Sequence, residues 1–451
     1  MHPNSSVVQR DRISLMMEAR DLSENVGFVK GHLRKVQLYG AGTLSYEPDT
    51  GDSGMDSEIS GFLADWMPRA HVGLSHTFTR LIQLSLVSMT RDGDSMLVWV
   101  RDEDALRLQI VEADQIGELH SYRNTPGYVS GVYINPDSSK IGYKVYDRIA
   151  DMQYGNSQFI PVQDALFFAD PIRNAIRSIT AYDTSIQNIR DKFEILGYEK
   201  LVVKDISTEG IVTYTQRAGA DRFDFDDTKQ SSDGVQSYIR RIGGVVREYM
   251  GIGEKFDVIP HNRPSPTFQG FIKTLDIEDC HGLNLPYGFL VDPSEPGGAA
   301  VRIVAHMANR EFGRVQNDVL TPNLNTIRDI VLLDAVERGE ISRHRGIRNG
   351  TWMFPPPPTA DIQRESDIAI RETRAGLSTY TEQFAIYGQN RARQWKIKQQ
   401  EIIDRHTLAH EATQALQAKG INVTVSPDEI AAMSENPAVV QSPTTPAPRH
   451  S

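Results

Sequence analysis

The sequence predicts an α+β fold, and three observations carry that reading. Residues 39–170 hold short β-type runs joined by turn signals, with helical stretches between them. Alternating βα units with a glycine-rich phosphate turn are absent there, which argues against a dinucleotide-binding sheet. Beyond residue 265, a short helix and a long helix flank a proline- and glycine-rich loop at 292–298.

The elements follow in order. Residues 1–12 are polar and expected to be flexible. Residues 13–22 and 28–36 have helical spacing, split at Asn25-Val26-Gly27, and 38–44 reads as a strand kinked at its glycines. A Gly/Asp/Ser loop at 49–56 precedes helices at 59–67 and 74–89. Arg91-Asp92-Gly93-Asp94 reads as a hairpin turn ahead of strands at 95–100 and 106–112. Further strands are expected at 129–134, 141–146 and 165–168. A long helix is expected over 179–196, ending at Gly197, then short strands at 201–203 and 211–214. Residues 221–234 form an acidic Ser/Asp/Gly loop. Residues 236–250 read as helical despite Gly243 and Gly244, and 256–259 as a strand. A helix over 267–280 leads through an apolar turn to the 292–298 loop, and the next helix runs from Ala299 to about Arg338. Pro355 to Pro358 stop the chain, and helices at 360–375, 379–387 and 391–418 follow, Ser378 being a good N-cap. Beyond 426 the tail is poor in core formers, with Pro443, Pro446 and Pro448 near its end.

The chain has 451 residues and 39% apolar content, enough for two or three globular domains. No stretch approaches the roughly 18 continuous apolar residues of a membrane span. The one cysteine, Cys280, leaves no internal disulfide framework or cysteine-rich zinc site. The formal net charge is −11. Tight nucleic-acid binding comes from clustered Lys and Arg, so any contact with DNA is expected to be loose or local. There is no internal repeat and no phosphate-binding Gly-x-x-x-x-Gly-Lys-Ser/Thr, so no ATPase of its own.

Landmarks between residues 18 and 380 occur in the order found in the portal proteins of tailed bacteriophages of the lambda type. Glu18-Ala19-Arg20-Asp21-Leu22 with Asn25-Val26-Gly27 resembles that family's early helix. Arg91-Asp92-Gly93-Asp94 is similar to its Asp-Gly-Glu before an apolar strand, and 108–114 to its Gln-Leu-Ile-Glu-x-Asp strand. Gly131-Val132-Tyr133 and 141–145 resemble the paired strands that follow, and 160–173 the next element. Trp352-Met353-Phe354-Pro355-Pro356 and Ala375-Gly376-Leu377-Ser378-Thr379-Tyr380 resemble its Trp-x-x-Pro and Gly-Leu-Ser/Thr elements. Two places depart: Arg173-Asn174-Ala175-Ile176-Arg177-Ser178 replaces the family's Arg-x-Gly-Gln-x-Arg-Gly, and Pro296-Gly297-Gly298-Ala299-Ala300 its Asn-Tyr-Ser-Ser.

The resemblance implies a portal fold: a mixed β wing domain, a two-helix stem, a small α/β clip, a long helix after a tunnel loop, and a helical crown. Mapped here, these are a flexible N-terminus at 1–12, the wing at 13–178, stem helices at 179–196 and 265–281, and the clip at 197–264. The tunnel-loop region is 282–298, the long helix and return to the wing 299–358, the crown 359–425, and a disordered tail 426–451. It implies a ring of about twelve subunits at one capsid vertex, through which DNA is packaged and ejected. Partners would be the terminase large subunit, a head–tail adaptor, the major capsid or scaffold protein, and double-stranded DNA in the channel, with no membrane and no cofactor. Assembly would take place in the host cytoplasm and the mature location would be the virion. The alternative is a head–tail adaptor or other structural virion protein. An unrecognised hydrolase would need a nucleophile–base set that the sequence does not supply.

On that map Asp292, Pro293, Ser294, Glu295, Pro296, Gly297 and Gly298 face DNA as a loop with neither helix nor strand preference, its glutamate repelling phosphate. A dozen copies at −11 would carry about −130, which strengthens the repulsion. The alternative is an ordinary connection between helices. Arg240, Arg241 and Arg247 would meet an acidic partner or DNA in the clip, or be a solvated face. Arg302, Arg310 and Arg314 would bridge subunits, or be a solvated stripe. Arg391, Arg393, Lys396 and Lys398 with Trp395 would touch packaged DNA from the crown, or lie on a surface helix. His406 and His410 are four apart on a helix but lack a third ligand, so no metal site is expected. Cys280-His281 point about 100° apart, a poor nucleophile–base pair. Asp226-Asp227 and Glu278-Asp279 are expected to be solvated, and no catalytic residue is assigned.

Overall fold

The computed structural model describes residues 6–101, 105–118, 126–150, 153–171, 176–208, 228–230, 236–242, 245–249, 268–294, 297, 299–356, 362–386, 389 and 391–430. Helices α1 (Ser6–Asn25) and α2 (Gly27–Lys35) open the chain, split at Val26, whose extended backbone interrupts the helix. The run expected as a kinked strand is a π-helical turn, Val36–Ala41, and strand β1 is confined to Ser45–Pro48. The reason is packing: Gly40 lies so close to Leu86 that a Cβ there would meet its Cδ2 at 2.7 Å.

Helix α3 (Ser53–Trp66) starts where Asp52 accepts hydrogen bonds from the Gly54 and Met55 amides. Helix α4 (Phe78–Asp92) is capped by Thr77 in the same way. Phe78, Leu81, Ile82, Leu86 and Met89 recur every three or four residues along it and are buried. Around them gathers the largest core, which includes Trp66, Leu324, Ile327, Val331 and Trp352.

The hairpin expected at 91–94 is a helix end. Gly93 takes φ 101° after α4, and the chain turns straight into β2 (Asp94–Arg101). β2 lies between β3 (Leu106–Glu112) and β8 (Ala165–Ala169), antiparallel to both. A second antiparallel sheet runs β4 (Tyr128–Val129), β5 (Val132–Ile134), β6 (Lys140–Ala150) and β7 (Gln153–Pro161). The run expected as one strand at 129–134 is thus two, turning at Ser130 and Gly131, both at positive φ. A Cβ on Gly131 would sit 2.5 Å from the Gly117 amide nitrogen, so the side-chain-free residue is required. β7 was missed because its exposed face is long and polar.

Arg177 ties the two sheets together. It is fully buried, pairs with Asp94 through Nε and Nη2 at 2.6 and 2.7 Å, and donates to the carbonyls of Ala113, Ile116 and Ser130. Beside it, Arg20 bonds Asp92 and Asp114 at 2.8 and 2.6 Å, and Arg148 bonds Asp114 at 2.7 Å.

Residues 179–185 are not helical, 181–185 being turns, and helix α5 runs later and longer than expected, Ile186–Thr208. Tyr182 explains the delayed start: its hydroxyl meets His32 Nδ1 at 2.7 Å, and its ring is buried beside α1 and α2. Residues 201–203, expected as a strand, belong to this helix. Strands β9 (Thr228–Gln230), β10 (Gln236–Ile242) and β11 (Val245–Tyr249) form an antiparallel sheet where a helix was expected. The strands expected at 211–214 and 256–259 lie outside the described residues.

Helix α6 (Phe268–Gly282) packs on α5. A short helix α7 (Tyr287–Leu290) then precedes α8 (Ala299–Val315), a π-turn (Gln316–Leu320) and α9 (Thr321–Glu337), which together fill the expected long helix. The return segment supplies β12 (Gly350–Met353), which pairs with β1 some 300 residues earlier, Tyr46 facing Trp352. Helices α10 (Ile362–Ala375), α11 (Tyr380–Ile386) and α12 (Arg391–Ala418) follow.

Candidate channel, docking and DNA-facing segments

The expected stem helices α5 and α6 are pinned by one buried cation. Lys192 Nζ lies 2.5 Å from Asp276 Oδ1 and 3.0 Å from Asp279 Oδ2. Burial opposes its charge, but the bonds to Asp276 and Asp279 outweigh it and raise its pKa. Asp279 is fully buried and its Oδ1 has no partner, so burial lifts its pKa despite Lys192. The expectation of a solvated Asp279 is therefore corrected: it faces the neighbouring helix. Cys280 is buried beside it, its thiol pushed up to about 12 by burial and by Asp276 and Asp279. A thiol so far from ionising is no nucleophile.

From α6 the chain passes through Leu283 and Leu285, both buried, into α7. Lys35 donates to the carbonyls of Phe289 and Leu290 at 2.6 and 2.8 Å, closing the end of that short helix. The Phe289 ring sits 5.3 Å from Tyr39 and 5.8 Å from Phe312, and Asn284 bonds Glu311 on α8. The base of the 292–298 loop is therefore fixed on both sides. Within the loop, Asp292 accepts from the Ser294 amide at 2.9 Å and from its hydroxyl at 2.6 Å. Pro293, Ser294 and Gly297 are exposed, and Glu295, Pro296 and Gly298 lie outside the described residues.

Of the three arginines on α8, Arg314 is engaged within its own chain. It bonds both oxygens of Asp170 at 3.0 and 2.6 Å and Glu311 at 2.8 Å, which raises its pKa. Arg310 is exposed and Arg302 half-buried. Arg240, Arg241 and Arg247 lie on a β-hairpin, and the helical placement expected for them is corrected. Arg240 is the cross-strand partner of Arg247, and Arg241 that of Val246. The two arginines expected on one helical face are therefore adjacent across a ribbon. The sequence signal was Gly243-Gly244 between two β-branched, aromatic runs.

In the expected crown, Arg391, Lys396 and Lys398 are exposed on α12, which also carries Arg393. The Arg391 guanidinium lies 6.0 Å from the Trp395 ring centroid, and Trp395 meets Tyr380 of α11 edge-on. Helical spacing puts 391, 395 and 398 on one face and 393 and 396 on another, so the basic residues form two stripes. His406 and His410 are on the same helix, and among the described residues no three His, Cys, Asp or Glu side chains gather to hold a metal ion. Asp226 and Asp227 lie outside the described residues. Among the described residues, no helix is long and apolar enough to cross a membrane.

Chains from three solved gene transfer agent structures are similar to this one at low identity. One is from the virion of the native particle, 12% identical over 84% of this chain and 93% of that one, with a TM-score of 0.43. Another is from the neck of the empty particle at C6 symmetry, 12% identical over 84% and 94%, TM-score 0.44. The third is from the neck of the native particle at C12 symmetry, 13% identical over 84% and 94%, TM-score 0.42. No curated protein matches the sequence. The model of the lambda family of phage portal proteins matches residues 1–296, well over half of the 451, and the chain belongs to that family.

Proposed function

We propose that this portal protein forms a ring of about twelve copies at one capsid vertex, with double-stranded DNA passing through its centre. The observation that supports it best, beside family membership, is apolar surface that one chain leaves uncovered. Phe193, Tyr198 and Leu201 on α5, Phe271 on α6 and Ile303 and Met307 on α8 are each more than half exposed. Large exposed apolar residues grouped on helices in this way mark a surface that another protein covers. A ring supplies that cover by placing the same elements of a neighbouring copy against them.

In that ring the 292–298 loop lines the channel, close to DNA but without a basic residue to hold it. The hairpin β10–β11 offers Arg240 and Arg247 to an acidic surface of the terminase large subunit or the head–tail adaptor. The stripe of Arg391 and Lys398 faces packaged DNA. The major capsid or scaffold protein surrounds the assembly, which forms in the host cytoplasm and works in the virion. Its role is mechanical and needs no catalytic group, the packaging energy coming from a separate ATPase.

Negative-stain microscopy of the purified protein tests the assembly directly. Rings of about twelve copies with a central hole are the expected image. Monomers or dimers at micromolar concentration would refute it.

A further inference from the structure

Along helix α12, every side chain from Trp395 to Leu408 is exposed, over a length of about 21 Å. Trp395, Ile397, Ile402, Ile403 and Leu408 are among them, each roughly half exposed. Trp395 meets Tyr380 of α11 edge-on and still keeps half its surface open. Helices in proteins draw most of their stability from packing an apolar face. Large apolar residues left open along such a helix mark an interaction surface.

Their angular placement points to what covers them. At about 100° per residue, Trp395 and Ile402 lie within about 20° of one another, and so do Ile397 and Leu408 on another side. These two stripes are centred about 140° apart by the shorter way round the helix, with Ile403 on the longer arc. A two-fold dimer buries the same patch on both partners and would leave one stripe open. A head-to-tail contact uses two different patches and closes into a ring. In a ring of about twelve, the directions from one copy to its two neighbours differ by about 150°, close to the angle between the stripes. The flanking charges are complementary. Glu401 and Asp404 lie within about 30° of the centre of the Ile397–Leu408 stripe, and Arg391 and Lys398 within about 50° of that of the Trp395–Ile402 stripe. Seating one copy's first stripe on the next copy's second brings unlike charges together. Arg391, Lys398 and Arg405 lie on the shorter arc, the side turned to the axis in such a ring, where DNA would pass. Within the chain, Arg405 is 3.8 Å from Glu401.

We propose that α12 stands along the ring axis and packs between the α12 helices of two neighbouring copies, Trp395 and Ile402 of one copy against Ile397 and Leu408 of the next. The proposal rests on the ring reading above and adds this seam to it. The test joins the two stripes by disulfides in the purified full-length protein. Trp395→Cys with Ile397→Cys puts one thiol on each stripe at nearly the same height, and Ile402→Cys with Asp404→Cys does so independently. Thiols two residues apart on one helix point to opposite sides and cannot bond within a chain. The native Cys280 does not compete, being buried with its thiol pushed up to about 12. All four positions are exposed, so neither pair opens a cavity in the core. After oxidation, each double variant is expected to give a denaturing-gel ladder that climbs past the dimer, and each single variant only monomer. Bonded species that stop at the dimer would mean two-fold pairing and overturn the seam. Rings visible by microscopy, with both double variants still monomeric on the gel, would overturn the seam and leave the ring reading standing. Absence of rings in wild type would overturn both.

Discussion

Replacing Lys192 by Met probes what holds α5 against α6. The substitution keeps the aliphatic stem and removes the ammonium, leaving Asp276 and Asp279 facing each other, the second fully buried. Breaking a buried ion pair from one side costs about 3–5 kcal/mol, because the partner is left uncompensated. At 1.36 kcal/mol per tenfold, that is roughly two to four orders of magnitude in local opening. Hydrogen–deuterium exchange of the α6 amides, compared between wild type and variant, reads this directly. The sign of the pH effect follows from Asp279. Without Lys192 its folded-state pKa lies still further above the unfolded value, so stability is retained at low pH and lost as pH rises through the folded pKa. The variant's deficit should therefore be largest near neutrality and shrink towards about pH 5. A second variant, Lys192→Met with Asp279→Leu, removes both charges and should recover most of the protection. If Lys192→Met exchanges within threefold of wild type at pH 7, the ion pair does not hold these helices together.

Deleting residues 294–298 should leave ring formation intact while impairing DNA packaging or retention, as read by nuclease-protected DNA in assembled heads; normal packaging would remove the loop from the channel. Arg240→Glu with Arg247→Glu should weaken terminase capture in a pull-down, and undiminished capture would make those arginines a solvated ribbon. Gly93→Ala should destabilise by at least about 1–3 kcal/mol in thermal unfolding. Its φ of 101° is strained for alanine, and the new Cβ would lie 2.7 Å from the Ile179 carbonyl carbon. For Asp114, burial raises the pKa, but Arg20, Tyr154 and Arg148 outweigh it and hold the group at about 2. A depressed carboxylate contributes stability above its unfolded value of about 3.9 and loses it as pH falls through the folded one. Wild type should therefore lose about 2–3 kcal/mol between roughly pH 5 and pH 1, and Asp114→Asn should flatten that slope.

Much of the fold was legible where the signal was local. Helix α4 announces itself through Phe78, Leu81, Ile82 and Leu86, and β2, β3 and β8 through short apolar runs. The break between α7 and α8 was readable because proline and glycine act on the backbone directly. What failed depended on distant partners. The chain at 179–185 has helical composition, yet Tyr182 is drawn into a pocket beside His32, which only the tertiary fold supplies. β1 and β12 are four residues each and exist because they find one another. The same holds at the candidate sites. Arg240 and Arg247 look like helix neighbours at a spacing of seven, and the antiparallel pairing of β10 with β11 makes them neighbours across a ribbon. Lys192 and Lys35 gave no signal at all, because each matters through groups that are far off in the chain.

The placement of those distant contacts bears on how the proposed channel loop would work. A loop that is to yield to moving DNA needs a base that does not yield, since otherwise the load relaxes into the surrounding helices. Here the incoming side is held by Lys35 on the last carbonyls of α7 and by the Tyr39–Phe289–Phe312 contacts. The outgoing helix is held by Arg314 on Asp170 and by Asn284 on Glu311. These contacts lie outside the loop's own sequence, on segments that pack into the body of the protein. Inside it, the described hydrogen bonds are short-range ones, Asp292 to Ser294 and the Gly297 carbonyl to Ala300. The proline–glycine sequence begins just beyond residue 292. The loop's only charged groups in sequence, Asp292 and Glu295, are anionic and in the proposed channel would repel phosphate. In the proposed channel, an anionic loop on an anchored base would let a duplex slide past without being held.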